Sequence, residues 1–207
     1  MSFMLMFKML ERFSYFFSFL LTIVSIFLLW RLQWGGVPLV LVTIYLVPPL
    51  LWRVISSLYP LQMGFSNIGV RQNPSAWMIS YHLQLLFGII PWLEKILMMI
   101  PGLYSAWLRL WGARIGKNIF WTPGIEIVDR PLLSVGDWVV IGHKTYISSH
   151  VITREDQKTQ LFLRPVSIEG HAFIGAFSVL NAGTRVAASE SIKAGTICLG
   201  LNRIERF

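Results

Sequence analysis

Cysteine is almost absent from this chain of 207 residues. Cys198 is the single cysteine, so the chain cannot form an intramolecular disulfide bond, and a zinc or redox motif built on paired thiols is excluded. Charged residues are also scarce, at 14% of the sequence. The net charge is +8, but the basic residues are spread thinly and form no basic run with interleaved polar residues. The sequence therefore argues against a nucleic-acid-binding protein.

Apolar residues are abundant instead, at 55% of the chain, with a mean hydropathy of +0.60. Two stretches without charge, Phe13 to Trp30 and Leu32 to Trp52, follow each other closely. Each is long enough to cross most of a hydrocarbon core of roughly 30 Å. A cleaved signal peptide is the alternative for the first stretch, but the stretch exceeds the usual apolar region and no small-residue cleavage pattern follows. We predict a transmembrane helical hairpin over residues 1–58.

The positive charges predict the orientation of this hairpin. Lys8 and Arg12 precede the first span, Arg53 and Arg71 follow the second, and Arg31 alone lies between them. Because basic residues favour the cytoplasmic side, both ends of the hairpin are expected in the cytoplasm. The sequence therefore predicts a multi-pass protein of the inner (cytoplasmic) membrane with its C-terminal domain on the cytoplasmic side.

Residues 59–111 begin with a segment polar enough for a connector, Pro60 to Asn73, and are apolar but interrupted from Ser75 to Trp111. Pro91 and Pro101 divide them into segments too short to span a bilayer, and we predict amphipathic helices that lie in the membrane interface. A third spanning helix from Ala76 to Ile90 is the alternative, although it is shorter than the roughly 17 residues required. His82 is expected to have a structural role rather than a catalytic one. Four tryptophans are of the type that favours the headgroup level: Trp77, Trp92, Trp107 and Trp111.

Residues 112–200 repeat an aliphatic residue at every sixth position. This period fits neither an amphipathic helix nor an alternating strand, whereas one inward residue per six-residue face is typical of a left-handed parallel β-helix. An irregular all-β domain would produce the spacing only by chance. The phase slips by two residues at a corner bulge, Asp129 to Pro131, so four or five coils are expected. The inward positions are Ile115, Trp121, Ile127, Val135, Ile141, Ile147, Ile168, Ile174, Leu180, Val186, Ile192 and Cys198.

Small residues follow several of these inward positions. They are expected at the corners between flat faces, where there is little room for a Cβ or where φ must be positive. The residues are Gly136, Gly142, Gly175, Ala182 and Ala188.

The repeat is interrupted once, by a polar segment over residues 151–165. A long loop that leaves a regular scaffold is a usual place for functional residues, and His150 stands at the root of this one. The sequence therefore predicts a protruding loop with His150 as the main candidate for chemistry.

Three motifs of the repeat resemble the hexapeptide-repeat acyltransferases. They are Val135-Gly-Asp-Trp-Val-Val-Ile-Gly, Val166-Ser-Ile-Glu-Gly-His-Ala-Phe-Ile-Gly-Ala and Leu180-Asn-Ala-Gly-Thr-Arg-Val. Together with the two N-terminal spans, the entry sequence Arg109-Leu-Trp-Gly-Ala-Arg-Ile-Gly resembles the membrane-embedded branch of that superfamily. The resemblance implies a homotrimer that transfers an acetyl or short acyl group from acyl-CoA.

The resemblance also implies roles for single residues. His150 would be the general base that takes a proton from an acceptor hydroxyl or amine, and Glu155 or Asp156 would orient its ring. Lys193 or Arg203 would meet the CoA phosphates, and an amide near Gly175–Ala176 would stabilise the oxyanion. The residues expected along the CoA arm are Gly175, Ala176, Ser178, Ala182, Gly183, Lys193 and Ala194.

No metal site is predicted. Three histidines from adjacent coils can hold zinc in β-helical carbonic anhydrases, which resemble this fold, so the candidate ligands are His143, His150 and His171. The closely spaced histidine pair of those enzymes is missing here, and the ligand spacing does not favour zinc.

These observations predict a membrane-bound O- or N-acyltransferase. Its acceptor is expected to be membrane-associated, such as a lipid-linked glycan or cell-envelope precursor, because anchoring raises the effective concentration of such a substrate. The alternative is a non-catalytic trimeric scaffold of an envelope complex. His150 separates the two, since a scaffold has no need of an imidazole there. The last residues, 201–207, are expected to form a short tail.

Overall fold

The computed structural model describes residues 3–67, 75–155, 158–200 and 204–205. The predictions made for Arg71, Asp156 and Arg203 therefore lie outside the described residues. The chain forms two compact units. Among the described residues, the first unit holds 3–62 and 75–90, and the second holds 63–67 and those from 91 onward.

The first unit is helical. The second and third helices are separated by a 3₁₀ turn at Gln33–Gly36, and the fourth helix begins with Pro48 and Pro49, where prolines are tolerated because first-turn amides have no intrahelical acceptor. Ser14 Oγ donates its single hydrogen to the carbonyl of Glu11 at 2.7 Å. It can therefore only accept from His82, whose Nδ1–H donates to it at 2.9 Å. This hydrogen bond joins the first helix to the fifth. The helices are α1 Phe3–Ser14, α2 Phe17–Leu32, α3 Val37–Tyr45, α4 Val47–Leu58 and α5 Ala76–Ile89.

One helical stretch in the described part of the chain is by itself long and apolar enough to cross a membrane. It covers the 42 residues Phe17–Leu58. A second, interrupted pair also passes this test, α5 with α6 (Trp92–Met98). The predicted hairpin of two separate spans is not confirmed and stays a prediction.

The backbone does bend inside the Phe17–Leu58 stretch. A Cβ on Gly36 would lie 2.5 Å from the carbonyl oxygen of Leu28. In a straight α-helix these two residues would be about 12 Å apart along the axis. The chain therefore changes direction between Leu28 and Gly36, and Gly36 is the residue that permits the close approach.

The second unit contains the predicted parallel β-helix. Its four coils carry three short strands each, and a hairpin and two further strands are added to them. In chain order the strands are β1 Gly64–Asn67, β2 Arg114–Ile115, β3 Phe120–Trp121, β4 Glu126–Ile127, β5 Leu133–Val135, β6 Val140–Ile141, β7 Tyr146–Ile147, β8 His150–Glu155, β9 Lys158–Leu163, β10 Val166–Ile168, β11 Phe173–Ile174, β12 Val179–Leu180, β13 Arg185–Val186, β14 Ser191–Ile192, β15 Ile197–Cys198 and β16 Ile204–Glu205.

Corresponding strands of the coils stack into three parallel sheets. The sheet orders are β13-β10-β5-β2, β14-β11-β6-β3 and β16-β15-β12-β7-β4, in which β16 alone is antiparallel. Inward residues stack on each other, as in the series Ile115, Val135 and Ile168. All three are buried. The six-residue period thus corresponds to one sheet face per repeat, with one aliphatic residue pointing to the axis.

At the corners, little room for a Cβ and positive φ occur at different positions. Gly136 needs close approach, because a Cβ there would lie 2.5 Å from the amide nitrogen of Gly170. Positive φ falls two residues later, at Trp138 (φ 60°). Of the two alternative reasons predicted for a small residue, little room for a Cβ applies at Gly136 and positive φ does not. Other corners place positive φ at the same distance after the inward residue, on Lys144, His171, Phe177, Gly183, Ser189 and Gly195.

One helix of the second unit, α7 (Leu103–Leu110), packs on the first coil. It is followed by the buried Trp111, and Trp121 of β3 donates its Nε1–H to Ser105 Oγ of α7 at 2.8 Å. Arg109 donates from Nε to the carbonyl of Ile115 at 2.8 Å. An amphipathic helix buries its apolar stripe equally well against a protein domain or a membrane.

The four tryptophans of residues 59–111 differ in exposure. Trp77, Trp107 and Trp111 are at most 5% exposed and pack against protein, whereas Trp92 is 69% exposed. Their position relative to a headgroup layer stays a prediction. A tryptophan supplies a large apolar surface to either environment, so its presence in an amphipathic segment does not decide between them.

The segment predicted as a protruding loop is a β-hairpin. β8 and β9 pair antiparallel from His150 with Leu163 to Glu155 with Lys158. β1, from the segment read as a connector, adds to β9 as a third antiparallel strand. Leu161 and Leu163 are each 1% exposed, so this small sheet has a buried side that fixes the strand register. The predicted protruding segment is thus built from paired strands, which the sequence analysis did not assign.

Candidate active site

His150 is the first residue of the hairpin and lies at a corner of the β-helix. Ile147 ends β7 as an inward residue, and Ser148 and Ser149 are buried. The His150 side chain remains 15% exposed. The catalytic candidate chosen from the sequence is thus held by a rigid corner and is accessible from outside.

The imidazole of His150 is held by a buried carboxylate. Nδ1 lies 2.7 Å from Oδ2 of Asp129, whose side chain is 4% exposed. The same oxygen accepts the backbone N–H of Ser149 at 2.9 Å. A carboxylate fixes Nδ1 as the donor nitrogen, so the imidazole lone pair is on Nε2. This tautomer suits a general base, and the carboxylate stabilises the imidazolium that forms on proton uptake.

Asp129 is brought to His150 by the coil repeat. Ile127 of β4 pairs with Ile147 of β7, so residues two positions beyond them, Asp129 and Ser149, are stacked in adjacent coils. Asp129 lies in the bulge, just before a 3₁₀ turn at Arg130–Leu132. The sequence analysis noted this bulge as a phase slip but assigned no function to it. Aligning Asp129 with Ser149 through the inward isoleucines would have revealed the pair.

A buried ionic network fixes the bulge on its other side. Arg130 forms an ion pair and a hydrogen bond with Glu94 of α6, and Tyr104 donates its hydroxyl to the second oxygen of Glu94 at 2.7 Å. The Arg130 guanidinium also lies over the ring of Trp107, 5.5 Å from its centroid. Burial lowers the pKa of Arg130 to about 9 and raises the pKa of Tyr104. Arg130 therefore stays protonated at neutral pH, and charge compensation comes from Glu94.

Serine and backbone groups secure the root of the hairpin. Ser148 Oγ donates to the carbonyl of His150 at 2.9 Å, and Ser149 Oγ donates to the carbonyl of Leu132 at 3.2 Å. The amide of Arg164, just after β9, donates to the carbonyl of Ser149 at 2.9 Å. Both ends of the hairpin are thus tied to the same corner, which limits movement of His150.

The acid that contacts the imidazole differs from those proposed from the sequence. Asp129 holds Nδ1, whereas the side chains of Glu155 and Asp156 lie outside the described residues. Any role of these two acids in orienting His150 stays a prediction.

The residues proposed for CoA divide between two corners. Ala182 and Gly183 follow β12 and stand one coil beyond His150 at the same corner, because Ile147 pairs with Leu180. The remaining residues occupy the next corner, after β11 and β14. Among these, Lys193 and Ala194 are exposed, Ala176 is half-buried, and Gly175 and Ser178 are buried.

Ser178 and Gly175 serve the coil itself. Ser178 Oγ donates to the carbonyl of Gly175 at 2.7 Å, and a Cβ on Gly175 would collide with the backbone of Ala194. A ligand at this corner would therefore meet Ala176, Lys193 and Ala194 rather than the serine hydroxyl. The CoA assignments stay predictions.

The other two histidines of the β-helix do not join His150. His143 Nδ1 is hydrogen-bonded to the carbonyl of Pro123, and its ring meets Phe177 edge-on at 5.9 Å. His171 is an exposed corner residue with φ 61°. Within the described ranges, no group of three or more histidine, cysteine or acidic residues is placed to hold a metal ion.

The chain is similar to hexapeptide-repeat acetyltransferases. The galactoside O-acetyltransferase of Escherichia coli K12 is 29% identical over 86 residues, which make up 40% of this chain and 42% of that enzyme. The chain thus spans less than half the length of this curated relative. No protein-family model matches the chain.

Two solved structures are similar to the chain at a low level. A hexapeptide-repeat acetyltransferase of Vibrio cholerae complexed with acetyl coenzyme A has a TM-score of 0.38 and 18% identity, covering 61% of this chain and 89% of that chain. A galactoside acetyltransferase in complex with coenzyme A has a TM-score of 0.35 and 15% identity, covering 55% of this chain and 78% of that chain.

Proposed function

We propose that the chain is a membrane-bound acyltransferase. It moves an acetyl or short acyl group from acyl-CoA to a hydroxyl or amine of a membrane-associated acceptor, such as a lipid-linked glycan or an envelope precursor. The observation that carries this proposal is the pair of His150 and Asp129, 2.7 Å apart at a corner of the β-helix. The similarity to galactoside O-acetyltransferase supports acetyl-CoA as the donor.

The His150–Asp129 pair supports the following proton path for acyl transfer. Nε2 of His150 takes the proton of the acceptor O–H or N–H while the acceptor atom forms a bond to the thioester carbonyl carbon. The carbonyl π electrons move to oxygen and return as the carbon–sulfur bond breaks. The leaving CoA thiolate then takes the proton from the imidazolium. Asp129 holds the ring throughout and balances its transient charge.

A membrane-associated acceptor is supported by the apolar helical stretch Phe17–Leu58. Anchoring the β-helix beside the bilayer increases the local concentration of a substrate confined to lipid. The proposed location is the inner membrane, with the β-helix on the cytoplasmic side. The basic residues Lys8, Arg12 and Arg53 support this orientation.

A homotrimer is part of the proposal. The sheet built on β3, β6 and β11 turns Phe120 and Phe173 outward, and these are 62% and 48% exposed. Phe177 at the next corner is 59% exposed. A row of exposed aromatic residues favours burial against another protein surface. Native mass spectrometry of detergent-purified protein should give three protomers, and Phe173→Glu should shift the mass to that of a monomer.

The proposed function is tested by replacing His150. His150→Asn should lower transfer from acetyl-CoA by about 10²–10⁴-fold, because asparagine cannot act as a general base, while acetyl-CoA still raises the thermal stability of the protein. His171→Asn removes an exposed imidazole and is the matched control, since asparagine tolerates positive φ. Unchanged turnover in His150→Asn would overturn the catalytic assignment. No binding of any short acyl-CoA by the wild type would favour the scaffold function.

A further inference from the structure

The three sheets of the β-helix present different outward surfaces. Two carry mainly aromatic and aliphatic residues, and one carries only arginine and serine. We call this third surface the arginine face and define it by its four outward residues, Arg114, Ser134, Ser167 and Arg185, one from each of β2, β5, β10 and β13. Both arginines are exposed, and both serines are half-buried.

These four residues form one straight row. Arg114 pairs with Ser134, Ser134 with Ser167, and Ser167 with Arg185 in the parallel register. Neighbouring strands lie about 4.8 Å apart, so the two serine positions are adjacent and the two arginines flank them. In the described part of the chain, no hydrogen bond or ion pair engages any of the four side chains. The row therefore has donors available to a ligand.

The arginine face starts at the corner that carries His150. Ser149, which precedes His150, is hydrogen-bonded to the carbonyl of Leu132, and Ser134 lies two residues further along the chain. At a rise of about 3.3 Å per residue, this separation is about 7 Å along the strand. A group bound at the serines would therefore lie about one sugar ring away from the corner of His150.

The donors of this face match a phosphate-bearing ligand. Arginine binds phosphate through paired N–H groups, and a serine hydroxyl donates one further hydrogen bond. Two adjacent hydroxyls between two guanidinium groups match the two linked phosphates of a diphosphate. Arg164 adds a third positive charge beside this corner, because its side chain lies against Gly183, two residues before Arg185.

We propose that the arginine face binds the phosphate or diphosphate of a sugar-phosphate acceptor and directs a sugar hydroxyl to His150. This proposal rests on the proposed function and specifies its acceptor. The same chemistry occurs in a nucleotide sugar and in a sugar joined to a lipid through a diphosphate. The apolar stretch of the first unit fits the second source, and the experiment includes both.

The binding test uses inorganic diphosphate as the probe and the full-length protein in detergent. Ser134→Ala with Ser167→Ala removes both hydroxyls without changing the charge, and should weaken diphosphate binding by about tenfold or more in calorimetry, because hydrogen bonds to charged groups are lost. Arg114→Gln with Arg185→Gln should weaken it further. Lys144→Gln, an exposed cation on another corner, is the control for net charge and should change little.

Three results of the binding measurements would overturn the proposal. Equal weakening in the Lys144→Gln control would show a non-specific charge effect, and unchanged binding in the serine variant would show that the hydroxyls are not contacts. A loss of acetyl-CoA affinity in the arginine variant would also overturn it, since the face would then hold the donor. The stability rise with acetyl-CoA in wild-type protein tests the proposed function separately from diphosphate binding.

Transfer assays then separate the two acceptor sources. The protein is given radiolabelled acetyl-CoA with either a soluble uridine diphosphate sugar or a polyprenyl diphosphate sugar in vesicles. If the wild type acetylates one of these acceptors, and the serine variant acetylates it at least about tenfold more slowly, the result supports the proposal and identifies the source. Acetylation that is equal in the wild type and the serine variant contradicts it.

Discussion

At the scale of single residues, the candidate active site depends on stacking between coils. His150 could be predicted because it stands where the six-residue repeat stops. Asp129 could not be selected from that argument, since it lies twenty-one positions earlier and meets His150 only through the alignment of β4 with β7. The bulge adds two residues to the repeat, so the length of this coil cannot be read directly from the six-residue period.

We expect Asp129→Asn to lower the rate of transfer while acyl-CoA still binds. The amide leaves the packing nearly unchanged but no longer fixes Nδ1 as donor or balances the imidazolium charge. The turnover number should fall by about 10²-fold or more, with the KM for acetyl-CoA within about twofold of the wild type. Steady-state kinetics on detergent-purified protein measures both.

Asp137→Asn is the matched control for this variant. Asp137 is an exposed corner acid whose Oδ1 accepts the amide of Lys117 at 2.6 Å, so it has no contact with the imidazole. Its replacement should leave the turnover number unchanged. A full rate in Asp129→Asn, or an equal loss in both variants, would show that the carboxylate of Asp129 does not act on His150.

At the scale of secondary-structure elements, α6 and α7 form part of the β-helix unit. The sequence predicted interfacial helices because their pattern is amphipathic, and this pattern does not identify the surface that covers the apolar stripe. The structure identifies the surface that α6 contacts, because Glu94 of this helix pairs with Arg130 of the bulge. The bulge therefore depends on a helix that lies outside the repeat.

We expect Arg130→Met to destabilise the second unit strongly. Methionine leaves the carboxylate of Glu94 buried without its cation, and removing one partner of a buried ion pair costs about 3–5 kcal/mol. Unfolding in urea, followed by tryptophan fluorescence, measures the change. Adding Glu94→Gln to this variant should recover a large part of the loss, because the uncompensated charge is removed. A double variant less stable than Arg130→Met would contradict this account.

Cys198 of β15 can be used to test whether the last coil is folded. The side chain is 6% exposed, and burial, together with the charge of Glu190, raises the pKa of its thiol. The folded protein therefore keeps the thiol protonated at pH values where the thiol of an unfolded chain, with an ordinary pKa of 9.0, has begun to ionise. Stability should accordingly fall as the pH rises above about 9.

Thiol labelling checks this prediction. Native protein should react with a maleimide at least about 10²-fold more slowly than urea-unfolded protein at pH 7, because the thiolate is both buried and rare. Raising the pH above about 9 should narrow the difference. Equal rates in native and unfolded protein at pH 7 would show that the last coil is not formed as described.

At the scale of the whole molecule, the β-helix was the most predictable part. One side chain in six points to the axis, so the six-residue period of the sequence indicates the architecture. The observed pairing of Ile141 with Ile174, and of Ile174 with Ile192, agrees with this period. The hairpin was missed because β8 and β9 carry polar residues on one side, and because β1 comes from a distant part of the chain. Long-range pairing of this kind leaves no local pattern.

The arrangement of the first unit in a membrane leads to the last prediction. A bend between Leu28 and Gly36 places Gly35 at a turn, where it is exposed and its Cβ would meet no atom within 4 Å. If α2 and the helices after it form two crossings, Gly35→Cys in a Cys198→Ala background should be labelled from outside the cell by a membrane-impermeant maleimide. The reason is that the basic ends hold Lys8 and Arg53 in the cytoplasm. Ser57→Cys, near the end of α4, should be labelled only after the membrane is permeabilised. Labelling of both positions from the same side would contradict the hairpin and favour a stretch that enters the bilayer without crossing it twice.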